Sequence, residues 1–265
     1  MTSFHDIEFE IDDPVALIRL NRPQRLNAFT YDTLAEIRQA VDEAAADPRV
    51  VGIIITGNGR AFSAGLDMAT LAAVTEAGQS GSTSDPDQLP GLFSYLLEVP
   101  KPVIAAVNGV AAGGGLILAL ASDLRFASED ASFTTVFSKR GLIAEHGSSW
   151  LLPRLVGTGH ALDLLWSSAR IDAARAFELG LVERLVAPRN LIAAARAYVE
   201  DLAINVAPAT LAETKRLVYA HIGCDLRSAL EEAHEAQERF VAGADAREGA
   251  QALLEKRPPN FRRVP

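Results

Sequence analysis

Two stretches of this chain repeat one another, and that repeat limits the possible folds more than any other feature. Val50-Val51-Gly52-Ile53-Ile54-Ile55 is a short β-branched run that closes at Asn58-Gly59. About fifty residues later Pro102-Val103-Ile104-Ala105-Ala106-Val107 follows the same pattern and closes at Asn108-Gly109. Apolar runs without polar alternation are what strands covered on both faces look like. Each run leads into a small-residue segment, Ala61-Phe62-Ser63-Ala64-Gly65-Leu66-Asp67 or Ala111-Ala112-Gly113-Gly114-Gly115, and each segment opens a helical stretch. A strand–turn–helix unit used twice predicts stacked copies sharing one core, wound as a spiral, rather than two separate domains.

The remaining pattern fits around that unit. Phe4, Ile7, Phe9 and Ile11 lead to the turn signal Asp12-Asp13-Pro14 and then to Val15, Leu17 and Leu20, which predicts a hairpin. Thr30 to Ala46 has helical spacing, with Leu34, Ile37, Ala40, Val41 and Ala44 on one side. Gly78 to Pro90 is rich in breakers and is expected to be a surface loop. Helices are expected over Asp172–Leu179, Leu191–Ile204, Ala209–Ile222 and Asp225–Val241. A last helix is expected from Asp245, with Glu248 completing a capping box and Pro258-Pro259 as the stop. The fold class is α/β with a C-terminal helical extension: residues 1–200 as core and 201–265 as helical region, working as one functional domain.

Composition narrows the function. A net charge of −9 argues against nucleic-acid or anionic-membrane binding, both of which need a basic face. The single Cys224 leaves no intramolecular disulfide and no cysteine-built metal site. The five histidines lack metal-ligand spacing, so no metal is expected. The N-terminal residues have no signal-peptide pattern, and no apolar run is long enough to span a bilayer; the expectation is a cytoplasmic, soluble protein. Motifs for a P-loop, a zinc protease, a dinucleotide fold and a nucleophile elbow are missing. What remains is the pair of glycine-bearing turns. Free N–H groups at such turns can converge on one oxygen as an oxyanion hole. The same glycines also permit close helix–strand packing, and at this level both readings stand.

Further matches make the chain recognisable. Asn21-Arg22-Pro23 with Leu26-Asn27-Ala28, the segments Ala61–Asp67 and Lys101–Gly109, Gly113-Gly114-Gly115, Ala176–Val182 and Glu255-Lys256-Arg257 together resemble the crotonase superfamily, the enoyl-CoA hydratase/isomerase family. The resemblance runs over essentially the whole chain. It implies a spiral of ββα units, trimers often paired into hexamers, and acyl-CoA thioester substrates, with coenzyme A entering as part of the substrate and no other cofactor. It also implies oxyanion donors at the Leu66 and Gly114 N–H groups. The coenzyme A surface would comprise Arg25, Ala28, Ala64, Asp67 and Met68, with Lys256 near the phosphates, from this or a neighbouring subunit.

The chain also departs from that pattern. Hydratases of this family use two glutamates, and the matching positions here are Ile117 and Phe137, which cannot move a proton. A two-glutamate hydratase mechanism is therefore not supported. Glu145 stands where isomerases, hydrolases and a dehalogenase of the superfamily carry a functional acid. It can shuttle a proton, act as a base toward water, or attack as a nucleophile. Ile117, Phe137, Leu142 and Trp150 are expected to shape an acyl pocket, and His146 is a second-line candidate beside Glu145. The expectation is an acyl-CoA enzyme working by double-bond isomerisation or hydration. The alternatives are an acyl-CoA hydrolase or C–C lyase, or a non-catalytic acyl-CoA-binding protein.

Overall fold

The computed structural model describes residues 4–77 and 89–264. The Gly78–Pro90 segment therefore lies largely outside the described residues. The hairpin is present: β1 (Ile7–Asp12) pairs antiparallel with β2 (Val15–Leu20). Next comes α1 (Tyr31–Ala46), started by Thr30, whose Oγ1 accepts the Thr33 N–H at 3.1 Å. The two repeated runs become β3 (Gly52–Gly57) and β5 (Val103–Val107), which pair in parallel. Each is followed by a three-residue strand and a helix: β4 (Ala61–Ser63) with α2 (Met68–Ala77), and β6 (Val110–Ala112) with α3 (Gly114–Ala121). A third, partial copy gives β7 (Leu124–Ser128) and β8 (Ser132–Thr134). The longer strands line up as β1-β2-β3-β5-β7-β10, where β10 is Arg184–Val186. The short ones build a second sheet, β4-β6-β8-β9, where β9 is Ile171–Asp172. The spiral of ββα units is thus the observed architecture.

Both faces of the larger sheet are covered, which explains its apolar strands. Ile18, Ile53, Ile55, Val103 and Ala105 point into the main core with Ile37, Val41 and α3. Leu17, Ile54, Ile104 and Ala106 point the other way, against Leu191, Ala195 and Val199 of α7 (Leu191–Asn205). Enclosing each of these large aliphatic side chains stabilises the fold by about 1.5–3 kcal/mol. Between the sheets, every residue of α3 is buried.

α4 (Ser148–Val156), α5 (Thr158–Ser167) and α6 (Ala173–Glu178) follow the second sheet, with Asp172 capping α6. Beyond α7 come α8 (Pro208–His221), α9 (Leu226–Val241) and α10 (Ala244–Glu255). The expected capping box at Asp245 is absent. α10 starts from Gly243, and the Glu248 carboxylate instead binds Arg257 (2.6 Å) and the Asn260 N–H (2.7 Å). Two strong donors behind the helix take the acid that a capping box would use. The C-terminal tail ends beside the N-terminal ends of β2 and β3, where Arg263 reaches Asp13 and the Arg49 carbonyl (both 3.3 Å).

Candidate active site

The two glycine-bearing turns meet. Ala61 and Ser63 of β4 pair with Val110 and Ala111 of β6, so the chain leaves both strands side by side. Gly65 takes a φ of +89°, and a methyl group there would lie 2.7 Å from the Ala112 carbonyl oxygen and 2.9 Å from the Gly114 nitrogen. Gly115 is equally tight: a Cβ would sit 2.2 Å from the Ser63 carbonyl oxygen. Only glycine fits either place.

The direction of the N–H groups follows from what surrounds them. Phe29 and Leu66 form a single parallel bridge: the Phe29 N–H donates to Gly65 O and the Asp67 N–H to Phe29 O, each at 2.8 Å. That bridge uses the groups flanking Leu66, and its own N–H faces away from Phe29. Gly114 is the first residue of α3, so its N–H is among the donors that no helix carbonyl can reach. At the other end of α3 the buried Arg125 donates to Ser122 O (2.8 Å) and Ala119 O (3.3 Å), and pairs with Glu183. A cation thus closes the negative end of this helix while its positive end is left for the turn.

Sequence reasoning missed the residues that build the first turn. Ser63 Oγ donates to Asn27 O (2.8 Å) and accepts the Gly65 N–H (3.1 Å). Asn27 is 1% exposed; its Nδ2 donates to Asn58 O (2.9 Å) and Ala61 O (2.8 Å), and its Oδ1 accepts the Arg22 N–H (3.0 Å). The Asn-Gly signals were the available hint, since Asn108 Nδ2 clamps Gly59 O in the same way at 3.0 Å.

Arg25, Ala28, Ala64, Asp67 and Met68 come together around this turn. The Ala64 N–H donates to Leu26 O at 2.9 Å, and Arg22 ties the Ala28 carbonyl (2.5 Å) to the Asp67 carboxylate (3.5 Å). Arg25 is exposed, and Met68, at 68% exposed, opens α2. Lys256 is not joined to them. It ends α10, and among the described residues no hydrogen bond or ion pair links it to that turn.

Glu145 sits in the loop before α4. Its carbonyl oxygen accepts the Ser148 N–H (3.0 Å) and the Ser148 hydroxyl (2.8 Å), and its side chain is 34% exposed. His146 has a left-handed φ of +51°, and its Nε2 lies 3.7 Å from Glu145 Oε1. Burial lowers the His146 pKa, with the Glu145 carboxylate pulling the other way. A chain of contacts connects this loop to the glycine turns: Val136 lies against Gly113, and the Leu142 N–H donates to Phe137 O at 3.0 Å. Ile117 and Phe137 are buried in the main core. Leu142 and Trp150 are exposed, and Trp150 stacks on Arg154 with its ring 3.9 Å from the guanidinium carbon.

A cleft of about 910 Å³ opens beside His146, Gly147, Trp150 and Leu151, facing α8 and Phe240 of α9. Across it, Lys215 Nζ donates to Asp123 Oδ2 (2.7 Å) and Leu96 O (2.8 Å), and the Tyr219 hydroxyl donates to Asp123 Oδ1 (2.9 Å). Desolvation lowers the Lys215 pKa against the pull of Asp123; desolvation first, then that carboxylate, raises Tyr219. The cleft reaches Ala121 at the C-terminal end of α3, whereas the glycine turns sit at the N-terminal end, about 10 Å away along the axis.

The spiral of units, the paired turns and the acid-bearing loop together define a crotonase-type scaffold. The family model for enoyl-CoA hydratase/isomerase matches residues 10–263, and the chain belongs to that family. It is 34% identical over 262 residues to the crotonyl-CoA hydratase of Syntrophomonas wolfei, covering 98% of both chains. It is also 34% identical over 253 residues to the 1,2-epoxyphenylacetyl-CoA isomerase of Escherichia coli, covering 95% of this chain and 96% of that one. Among solved structures, an enoyl-CoA hydratase/isomerase from Mycobacterium paratuberculosis superposes with a TM-score of 0.90 at 32% identity, over 99% of this chain and all of that one.

Proposed function

We propose that the protein moves a double bond in an acyl-CoA thioester, using Glu145 as its single proton carrier. The observation that carries this reading is the pairing of a loop carboxylate at position 145 with apolar Ile117 and Phe137 where hydratase glutamates would stand. The thioester oxygen sits between the Leu66 and Gly114 N–H groups. Glu145 takes a proton from Cα of a 3-enoyl thioester, and the electron pair delocalises onto the oxygen as a dienolate. The same carboxyl group returns the proton at Cγ, giving the 2-enoyl thioester with no change in mass. Each N–H donor contributes about 3–4 kcal/mol to holding the negative charge.

Arg25, Ala28, Ala64, Asp67 and Met68 line the coenzyme A side, with Arg25 offering its charge to the phosphates. Lys256 serves the same ligand in a neighbouring subunit of a trimer or hexamer, which suits its separation from that turn. Ile117 and Phe137 form the floor beneath the acyl chain, and Leu142 and Trp150 its outer edge. No cofactor beyond the coenzyme A of the substrate takes part. Hydration is the second reading, favoured by the hydratase name of the Syntrophomonas relative; there Glu145 deprotonates water instead.

Incubation with 2-enoyl, 3-enoyl and 3-hydroxyacyl-CoA thioesters separates these readings, since isomerisation alone leaves the mass unchanged. Glu145→Gln is expected to bind the thioester normally and to lose activity by about 10³-fold or more. Undiminished turnover by Glu145→Gln removes Glu145 from the chemistry. Tight binding without any product from the wild type points to a binding protein.

A further inference from the structure

We propose that His146 is a positioning residue: its imidazole N–H fixes the direction in which the Glu145 carboxylate faces the acyl carbons. This rests on the reading of Glu145 as the proton carrier. A carboxylate on a loop, one-third exposed, has rotational freedom that efficient proton transfer cannot tolerate, so something must orient it. Ser148 pins the backbone of Glu145 through two hydrogen bonds but leaves the side chain free. Among the described residues, the only cation-forming side chain within 4 Å of that carboxylate is His146.

The backbone supports this role. Neighbouring side chains on an extended chain point to opposite sides. Here the chain turns through two successive left-handed residues, His146 at φ +51° and Gly147 at φ +83°. A residue with a Cβ adopts that conformation at a cost, and it brings the ring back beside the preceding carboxylate. The backbone at Gly91 runs close to this turn: a Cβ built there would lie 3.6 Å from the His146 Cα. The 3.7 Å between Nε2 and Oε1 is longer than a hydrogen bond, as catalytic contacts often are before substrate binds, and the proposal requires it to shorten in the complex.

The charge state of the ring follows from its surroundings. The one charged group that acts on it is Glu145; Glu98 from the segment after residue 89 and Glu213, Lys215, Arg216 and Tyr219 from α8 line the same cleft as His146. Lys215 is held by Asp123, and Arg216 by Glu213 and Glu232. Burial holds the His146 pKa down against the pull of Glu145, which favours the neutral imidazole. It donates one N–H and leaves Glu145 a competent base. On acidification the imidazolium stabilises the carboxylate and weakens it as a base, so turnover falls as pH drops through the His146 pKa.

The test uses the whole purified chain and the thioester that the wild type turns over fastest. His146→Gly fits the left-handed backbone and removes the donor; His146→Gln places an amide N–H near Nε2 without titrating. The expected result for His146→Gly is a kcat lower by about tenfold or more, a KM within about twofold, and an undiminished Tm. His146→Gln is expected to recover kcat to within about threefold and to lose one ionisation from the acid limb of the pH profile. Wild-type kcat and an unchanged acid limb in His146→Gly overturn the proposal, as does a His146→Gln variant that restores nothing. Loss of activity in Glu145→Gln together with a silent His146→Gly rejects this inference alone. Retained activity in Glu145→Gln, or no turnover of any thioester by the wild type, rejects the reading beneath it.

Discussion

Replacing Gly65 by alanine tests whether the two turns are held at contact distance for a reason. The added methyl group would stand 2.7 Å from Ala112 O and 2.9 Å from Gly114 N, both backbone atoms that cannot swing aside. Restoring ordinary contact moves the turns apart by roughly 0.6 Å or more. The left-handed φ of +89° costs about 1–2 kcal/mol for a residue with a Cβ, and the overpacking about 1–3 kcal/mol. The expected loss of stability is therefore about 2–5 kcal/mol. Gly180→Ala is the control: its φ is +77°, but the nearest atom, Leu155 O, lies at 3.4 Å, so only the conformational cost applies, about 1–2 kcal/mol. Urea unfolding at constant m-value reads both. On the proposed mechanism, displacing the Gly114 N–H should also lower kcat of Gly65→Ala by about 10²–10³-fold, with Gly180→Ala near wild type. A Gly65→Ala variant as stable as Gly180→Ala and with kcat within about threefold of wild type refutes the reasoning.

Lys101 is buried and donates to Ala44 O (3.0 Å) and Asp47 O (2.6 Å) at the end of α1, and desolvation lowers its pKa to about 8. Its charged form is costly in the fold, so between about pH 8 and 10.5 the wild type should gain stability relative to Lys101→Met, by about 1–2 kcal/mol after solvent screening; parallel curves in denaturant titrations across that range contradict this. Arg125→Met strands the carbonyls of Ala119 and Ser122 and unpairs Glu183, and is expected to cost about 3–5 kcal/mol in the same assay. Asp172→Ala removes the acceptor for the Arg175 N–H (2.8 Å) at the start of α6 and should cost about 1 kcal/mol, measured by thermal unfolding.

The elements visible in the sequence are those whose pattern is longer than their own turns. The hairpin, α1, the runs that become β3 and β5, and the helices near 172–179, 191–204, 209–222 and 225–241 all carry several apolar residues at a fixed period. β4, β6 and β8 are three residues each, too short for a period, and exist because parallel neighbours pair with them. α4 was hidden for another reason: Gly147 and Gly157 flank it and Pro153 lies inside it, so its local signals are those of a break. The same contrast holds at the site. Gly65 and Gly113–Gly115 stand out because backbone approach demands glycine. Asn27 and Ser63 do not, because the bonds that tie the turn together, Asn27 to Ala61 and Ser63 to Asn27, join residues more than thirty positions apart.

The complete enclosure of α3, with Arg125 at one end, separates two kinds of electrostatics in one molecule. Mobile ions are kept from most of the layer around that helix, so the field at its first residue is screened much less than one at the surface. Arg25, by contrast, stands in open solvent, where added electrolyte weakens any hold on a phosphate. Raising potassium chloride should therefore increase KM for a thioester while leaving kcat nearly flat.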